Sequence, residues 1–182
     1  TLMAESIRRL NDPVKIPDRL SEDLFSYFSQ EIYTHLPVSI RDFLIQTSVL
    51  DEIELDVVNQ IFNPDQALTI LTELEKRNLF IQRIESDGET PRFKYHHLFK
   101  EFLQEDLIKS RGRDHHQRLS RTIGSIFWEK RDHESAVNYF IQARAFDDLI
   151  RIIKAKGTDY IITGKVAQLE KWLGHLPEDR VE

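Results

Sequence analysis

Two adjacent histidines, His96 and His97, are the residues of this chain whose type and position could do chemistry. They follow residues 92–95, which read as a β-strand, and precede residues 98–110, whose apolar spacing is typical of an amphipathic helix. A histidine at a strand-to-helix junction is placed where its ring can reach a neighbouring phosphate. An imidazole beside a polyanion gains positive charge, because the anion favours its protonated form. His96 is therefore a candidate phosphate-binding residue, although paired histidines can equally satisfy backbone groups or lie half exposed.

Two other histidine groupings are candidate metal sites. His97 and Glu101 are four residues apart on a predicted helix, and His115 with His116 could join His133. Adjacent histidines point in different directions, however, and no further ligand has the spacing of a zinc site. The sequence therefore predicts no bound metal.

A segment that resembles a phosphate-binding loop fails on its spacing. Residues 157–165 end in Thr-Gly-Lys, but the second glycine follows the first by seven positions, where such a loop requires five. Val166 also stands where a Ser or Thr must hold magnesium. With no Gly-x-Ser-x-Gly elbow either, the sequence predicts no catalytic residue and no enzymatic activity in this chain.

The composition is that of an ordinary globular protein. The 182 residues are 40% hydrophobic and 31% charged. They include no cysteine, which excludes disulfides, thiolate metal sites and cysteine nucleophiles and is compatible with the reducing cytoplasm, where we expect the protein. No apolar run approaches the roughly 20 residues that cross a bilayer, and no signal peptide is visible, so no membrane attachment is expected.

The elements that would position His96 form a predicted winged helix at residues 21–110. A glycine-containing loop at 87–90 joins strand-like residues 79–84 to 92–95 as a β-hairpin. Helices are predicted on both sides of it, at residues 21–36, 37–47, 53–62, 64–78 and 98–110. The residues of the fourth helix predicted to face inward are Ala67, Leu68, Leu71 and Leu74.

The remainder of the chain, residues 111–182, has a different pattern. Helix-like segments of roughly 10–18 residues are joined by very short turns, and small residues occur where two helix backbones would approach: Gly124, Ala136 and Ala143. This is typical of antiparallel helix pairs of the tetratricopeptide (TPR) kind. Fewer than two such pairs are expected before Glu182. The predicted fold class is therefore mainly α, a winged helix followed by TPR-like helix pairs.

Three domains are predicted from these changes of pattern. Residues 1–20 are expected to be the end of a helical domain and a linker, residues 21–110 the winged helix, and residues 111–182 the start of a superhelical sensor domain. The chain opens in what looks like the middle of a helix, without a capping residue. We therefore expect it to be a segment of a longer protein.

The charge distribution argues against DNA binding by the predicted winged helix. Residues 21–110 carry 17 acidic and 8 basic side chains. A protein that holds DNA needs lysine and arginine to neutralise phosphates, which supply most of the non-specific affinity. The helix expected to enter a major groove, residues 64–78, has its basic residues at the C-terminal end, whereas such helices contact bases from their N-terminal part.

Three sequence blocks together resemble a known family. They are Arg-Asp-Phe-Leu-Ile-Gln-Thr-Ser-Val-Leu at 41–50, Leu-Thr-Glu-Leu-Glu-Lys-Arg-Asn-Leu-Phe at 71–80, and Phe-Lys-Tyr-His-His-Leu-Phe at 93–99, the last with Phe102-Leu103. In order and spacing they resemble the MalT-like, large ATP-dependent LuxR-type transcription regulators. These belong to the STAND class of signal-transduction ATPases.

The resemblance implies a specific role for His96. In STAND relatives a winged helix folds over bound ADP, and the histidine of a Met-His-Asp motif touches its terminal phosphate. His96 occupies the histidine position here, while His97 stands where the related families have Asp. ATP or ADP would be the cofactor of the full-length protein, with none held by this chain alone. Hydrolysis would belong to an upstream domain with its own phosphate-binding loop.

The function implied is that of a regulatory arm. The winged helix would hold the ADP-bound resting state closed, with the nucleotide-binding domain of the same chain as its partner. The helical repeats would bind an inducer or a regulatory protein. Two alternatives remain open: a DNA-binding winged-helix regulator with a helical dimerisation tail, and a TPR-type adaptor that binds peptides. Salt-dependent retention on DNA would favour the first, and affinity for a linear peptide the second.

Overall fold

The computed structural model describes residues 33–62, 67–76, 80–84 and 90–178. The chain divides between Leu107 and Ile108 into two compact units. The predicted segment 1–20, residues 21–32 of the predicted helix 21–36 and the loop residues 85–89 lie outside the described part. Within that part the fold is mainly α with one small sheet, as the sequence predicted.

In the first unit, helices come before, between and after the strands of a small antiparallel sheet. Residues 33–35 are helical, and Pro37 precedes the first complete helix. The elements are α1 (Val38–Thr47), β1 (Ile53–Glu54), α2 (Leu55–Phe62), α3 (Ala67–Lys76), β2 (Ile81–Ile84), β3 (Arg92–Tyr95) and α4 (His97–Arg111), the last of which continues across the division between the units.

The sheet has three strands in the order β1-β3-β2, with β3 in the centre. The predicted hairpin is confirmed, since Ile81 pairs with Tyr95 and Ile84 with Arg92. The prediction of a helix from residue 53 was wrong at its first two residues. Ile53 is instead fully buried in a strand opposite Phe93, and the helix begins at Leu55. Pairing with a strand 40 residues away outweighs the local helical pattern.

The core of the first unit lies where the helices pack on the sheet. On α3, Ala67, Leu71 and Leu74 are buried, as predicted. Leu68 was predicted to face inward and does not, for its side chain is 46% exposed. It is rotated by about 100° from Ala67 around the helix, which turns it away from the buried stripe. The completely buried side chains of the unit, all with 0% exposure, include Leu44, Val49, Ile53, Val57, Val58, Leu71, Phe93, Leu103 and Leu107.

The second unit is built from consecutive helices joined by short turns. After the end of α4 come α5 (Arg113–Glu129), α6 (His133–Gln142), α7 (Phe146–Ile162) and α8 (Val166–Leu173). The expectation of fewer than two helix pairs was wrong, because these four helices make two pairs within the described residues. The sequence pattern predicts a helix over residues 146–155, and this was too short, since α7 continues to Ile162.

The small residues mark a close approach of α5 and α6, as predicted. A Cβ atom at Gly124 would lie 2.9 Å from the ring of Phe140 and 3.2 Å from the carbonyl oxygen of Ala136. Ala136 itself is fully buried. Phe127 and Tyr139 stack with their ring centroids 5.4 Å apart. Gly124 contacts Phe140, whereas Phe127, later on α5, contacts Tyr139, which is earlier on α6. The two helices therefore run antiparallel.

None of the helices in the described ranges is both long enough and apolar enough to cross a membrane.

Candidate site at the strand-to-helix junction

The last residue of β3 fixes the start of the site. The hydroxyls of Tyr95 and Thr47 lie 2.7 Å apart and are buried. Thr47 donates its single proton to the carbonyl oxygen of Phe43 at 2.7 Å, so Tyr95 must donate to Thr47. Burial raises the pKa of Tyr95, which keeps this donor protonated. The bond ties the end of β3 to the C-terminal turn of α1.

The backbone of His96 is held on both sides. Its N–H donates to the carbonyl oxygen of Phe80 at 2.7 Å, and its carbonyl oxygen accepts from the N–H of Lys100 at 2.9 Å. Phe80 has a φ of 56°, in the left-handed region that a bulky residue seldom adopts. Such a conformation costs about 1–3 kcal/mol and persists only where the surroundings enforce it. The junction is thus a rigid and locally strained piece of backbone.

The side chain of His96 is half buried, and its Nδ1 has no hydrogen-bond partner among the described residues. Its Nδ1 is enclosed, and no residue in the described ranges bonds to it. Its ring lies 4.4 Å from that of His97 and 6.5 Å from that of Phe80, measured between centroids. Since buried polar atoms nearly always have a partner, an orphaned imidazole nitrogen is a candidate contact for a group from outside this chain segment.

The surroundings of His96 favour its neutral form. Burial lowers the pKa of His96, and the neighbouring His97 lowers it further. Lys100 does not supply a free cation beside it, because its ammonium is paired with Asp51 at 2.5 Å. An incoming anion would reverse the preference by favouring the protonated ring. The protonation of His96 therefore depends on which charges lie near its ring.

The helix that follows the junction is anchored to the segment after α1. Gln104 donates its side-chain amide to the carbonyl oxygen of Ser48 at 3.0 Å. One turn earlier on α4, Lys100 pairs with Asp51. On β3, Arg92 pairs with Glu52 at 2.9 Å. These contacts hold both β3 and α4 against residues 48–52, so the position of His96 is set by the whole first unit.

The other candidates do not gather into a second site. His97 is exposed at the first position of α4. The described ranges hold no cluster of three or more His, Asp or Glu that could bind a metal, whether around Glu101 or around His115, His116 and His133. The residues 157–165 form the end of α7 and the turn after it, with Lys165 stacked on the Tyr160 ring at 5.5 Å.

Three lowered histidine pKa values predict a loss of stability in mild acid. Burial is the main cause at each of His96, His116 and His133. Below about pH 6.5 the unfolded chain takes up protons that the folded chain resists, so the free energy of unfolding should fall as the pH drops. Above that pH both states are neutral at these rings, and no effect is expected.

Urea denaturation at pH 7.5 and pH 5.5 measures this effect. A variant with all three histidines changed to glutamine should lose less stability across the interval than the unaltered chain. Equal losses in the two proteins would show that other groups cause the acid sensitivity.

Comparison with known proteins gives consistent matches. Residues 29–116 match the family model of the MalT winged helix domain. The chain is similar to the HTH-type transcriptional regulator MalT of Vibrio campbellii, with 26% identity over 156 residues, 86% of this chain and 17% of that protein. The MalT of Vibrio cholerae is 29% identical over 153 residues, 84% of this chain and 17% of that protein.

A second kind of regulator is also similar. The HTH-type transcriptional regulator AlkS of Pseudomonas putida is 27% identical over 158 residues, which cover 85% of this chain and 17% of AlkS. The chain thus spans 17% of the length of the relatives it matches. The matched winged helix includes β3, the junction and all of α4, so the candidate site lies entirely inside it.

Proposed function

Because this chain belongs to the MalT-like regulators, with a MalT winged helix domain at residues 29–116, we propose that it is the regulatory arm of a transcriptional activator. In the proposed resting state, the ring of His96 contacts the terminal phosphate of ADP. The nucleotide is held by a nucleotide-binding domain of the same longer protein. The winged helix then keeps that state closed until an inducer or regulatory protein acts.

One observation supports this role above the others: the buried, unpartnered Nδ1 of His96 on a rigid backbone. A ring whose two nitrogens were both bonded within its own unit would have nothing to offer a nucleotide. The ring of His96 is oriented by its neighbours yet keeps a donor or acceptor site unused among the described residues. If another domain completes the contact, the arm alone should show such a nitrogen without a partner.

The contact can act as a switch because it is made in only one of two states. A ligand or contact shifts an equilibrium only by the difference between its interaction energies in the two states. A hydrogen bond between a charged imidazole and a phosphate contributes roughly 1.5–3 kcal/mol. If ATP is bound in an open state that lacks this contact, the whole of that energy favours the ADP-bound state.

The remaining assignments follow from the same proposal. ATP or ADP is the cofactor of the full-length protein, and hydrolysis belongs to its nucleotide-binding domain, not to this chain. The second unit begins the helical sensor through which an inducer or a regulatory protein acts. The protein works in the cytoplasm, where the transcription that it regulates takes place.

The arm itself is proposed not to bind DNA. Three cations of the wing and of the helix after it are paired with carboxylates. Arg83 bonds to Glu75 at 3.0 Å, Arg92 to Glu52 at 2.9 Å and Lys100 to Asp51 at 2.5 Å. A cation already neutralised by a carboxylate has less to gain from a DNA phosphate, and the unit is acidic as a whole.

A mobility-shift experiment with this chain and duplex DNA tests that statement. Low ionic strength makes the test severe, because non-specific binding is strongest there. We expect free DNA at protein concentrations where a basic winged-helix protein, run as the control, shifts it completely. A clear, salt-sensitive shift by this chain would favour a DNA-binding regulator with a helical dimerisation tail.

A further inference from the structure

A polar cavity of about 380 Å³ lies within the second unit, between the first half of α5 and the turn that joins α6 to α7. This volume falls in the range of roughly 300–1,000 Å³ that is usual for small-molecule sites. The charged residues that line it are Asp114, Arg118, Arg121, Arg144, Asp147 and Asp148. Three arginines and three aspartates thus line one small cavity.

A buried carboxylate holds one of these arginines in place. Asp148 is 6% exposed and accepts from Arg121 Nε at 2.6 Å and from a terminal nitrogen of Arg151 at 3.0 Å. A buried charge must be paired in this way to be tolerated. Only Nε of Arg121 bonds to Asp148, and the terminal nitrogens of its guanidinium bond to none of the described residues. Asp148 therefore orients Arg121 while leaving its terminal donors available.

The side chains of the other two arginines have no partner among the described residues. Arg118 lies three residues before Arg121 on α5, and Arg144 is in the turn, with a left-handed φ of 53°. Neither side chain forms a hydrogen bond or ion pair with any residue in the described ranges. Unpaired guanidinium groups that converge on one cavity offer several charge-assisted donors to a single anion.

The carboxylates of the cavity limit what it can accept. Asp148 is neutralised by Arg121 and Arg151, and Asp147 also has an interaction. Asp114, in the first turn of α5, is the one lining carboxylate for which the described residues supply no partner. A ligand with an anionic group for the arginines and a hydroxyl or amino group for Asp114 would satisfy both.

We propose that this cavity binds a small organic anion, through a carboxylate or phosphate group held by Arg118, Arg121 and Arg144. The inference deepens the proposed sensing role of the second unit by giving the chemical class of its ligand. It does not depend on His96, which lies in the other unit.

Titrations of the isotope-labelled chain, followed by nuclear magnetic resonance, test the proposal. The probes are inorganic phosphate and succinate, which separate phosphate from carboxylate recognition, with glycerol as the uncharged control. At least one anion should shift the backbone amide signals of residues 114–121 and 143–148, and glycerol should not. The absence of any such shift with both anions would overturn the proposal.

Two double variants distinguish a site from general charge attraction. Arg118→Gln with Arg144→Gln removes two cavity cations at exposed positions, so the fold should survive, and circular dichroism checks this. Lys154→Gln with Lys171→Gln removes the same charge from exposed positions outside the cavity. We expect the first variant to bind the anion at least about tenfold more weakly and the second to bind as before. Equal weakening in both would also overturn the proposal.

The failure of this proposal is separable from that of the proposed function. If no anion binds while the full-length protein still depends on His96 to favour ADP, the cavity proposal alone is wrong.

Discussion

Replacing His96 by alanine in the full-length regulator should raise reporter expression without inducer by roughly 10- to 100-fold. The change removes a contact that is worth roughly 1.5–3 kcal/mol and is made only in the proposed ADP-bound state. Each 1.4 kcal/mol changes the ratio of the two states about tenfold, so the active state should become much more populated. Reporter expression measured without inducer is the readout.

The control is His97→Ala, which removes an exposed ring beside the site. It should change expression far less, because His97 is the first residue of α4 and its side chain faces solvent. Each variant should also keep its fold, since a half-buried junction residue contributes little to the core. A His96→Ala protein that stays silent while folded and nucleotide-bound would mean that the histidine is structural.

Replacing Phe93 by alanine should destabilise the first unit by about 3–5 kcal/mol. Phe93 has 0% exposure and lies in the central strand, paired with Ile53 on one side and Arg83 on the other. The Arg83 guanidinium lies 5.3 Å from the centre of its ring. Truncation leaves a cavity between the sheet and the helices that neighbouring side chains can fill only in part. Urea denaturation followed by circular dichroism measures the loss.

The matched control is Lys94→Ala, one residue along the same strand. Lys94 is exposed on the opposite face of β3 and pairs with Gln82 of β2. Its replacement should change the free energy of unfolding by no more than about 0.5 kcal/mol, as is usual for surface positions. Similar losses in the two variants would contradict the assignment of Phe93 to the core of the sheet.

The hairpin and most helices could be predicted because their signals are local. Alternation in β3, and apolar stripes in α1 and α3, arise from periods that a short stretch of sequence contains. β1 could not be predicted in this way. Its two residues are too few to show alternation, and only the partner Phe93, far along the chain, makes them a strand.

The candidate site at the strand-to-helix junction could be predicted only in part, because some of its features are local and others are not. His96 is visible as a histidine between a strand pattern and a helix pattern. The contacts that hold it in place are not visible in the sequence. The Thr47–Tyr95 bond joins residues 48 apart, and Phe80 adopts a left-handed backbone conformation although it is not a glycine. Contacts of that kind depend on the packing of several elements, which residue spacing does not encode.

In the second unit too, features with a local signal could be predicted and features that depend on distant contacts could not. Gly124 and Ala136 predicted a close helix approach, because small residues are needed wherever two backbones come near. The length of α7 and the presence of α8 were missed. Trp172 is 1% exposed and packs 4.7 Å from the ring of Tyr160, so α8 is held by a contact between helices.

Nucleotide affinity in the full-length protein tests the proposed role of His96 most directly. Equilibrium binding of ADP and of ATP should be measured for the unaltered protein, for His96→Ala and for His97→Ala. We predict that His96→Ala weakens ADP binding by roughly 10- to 100-fold and leaves ATP binding unchanged, while His97→Ala alters neither substantially. Unchanged ADP affinity in a folded His96→Ala protein, or an equal loss for ADP and ATP, would contradict a contact made only in the resting state.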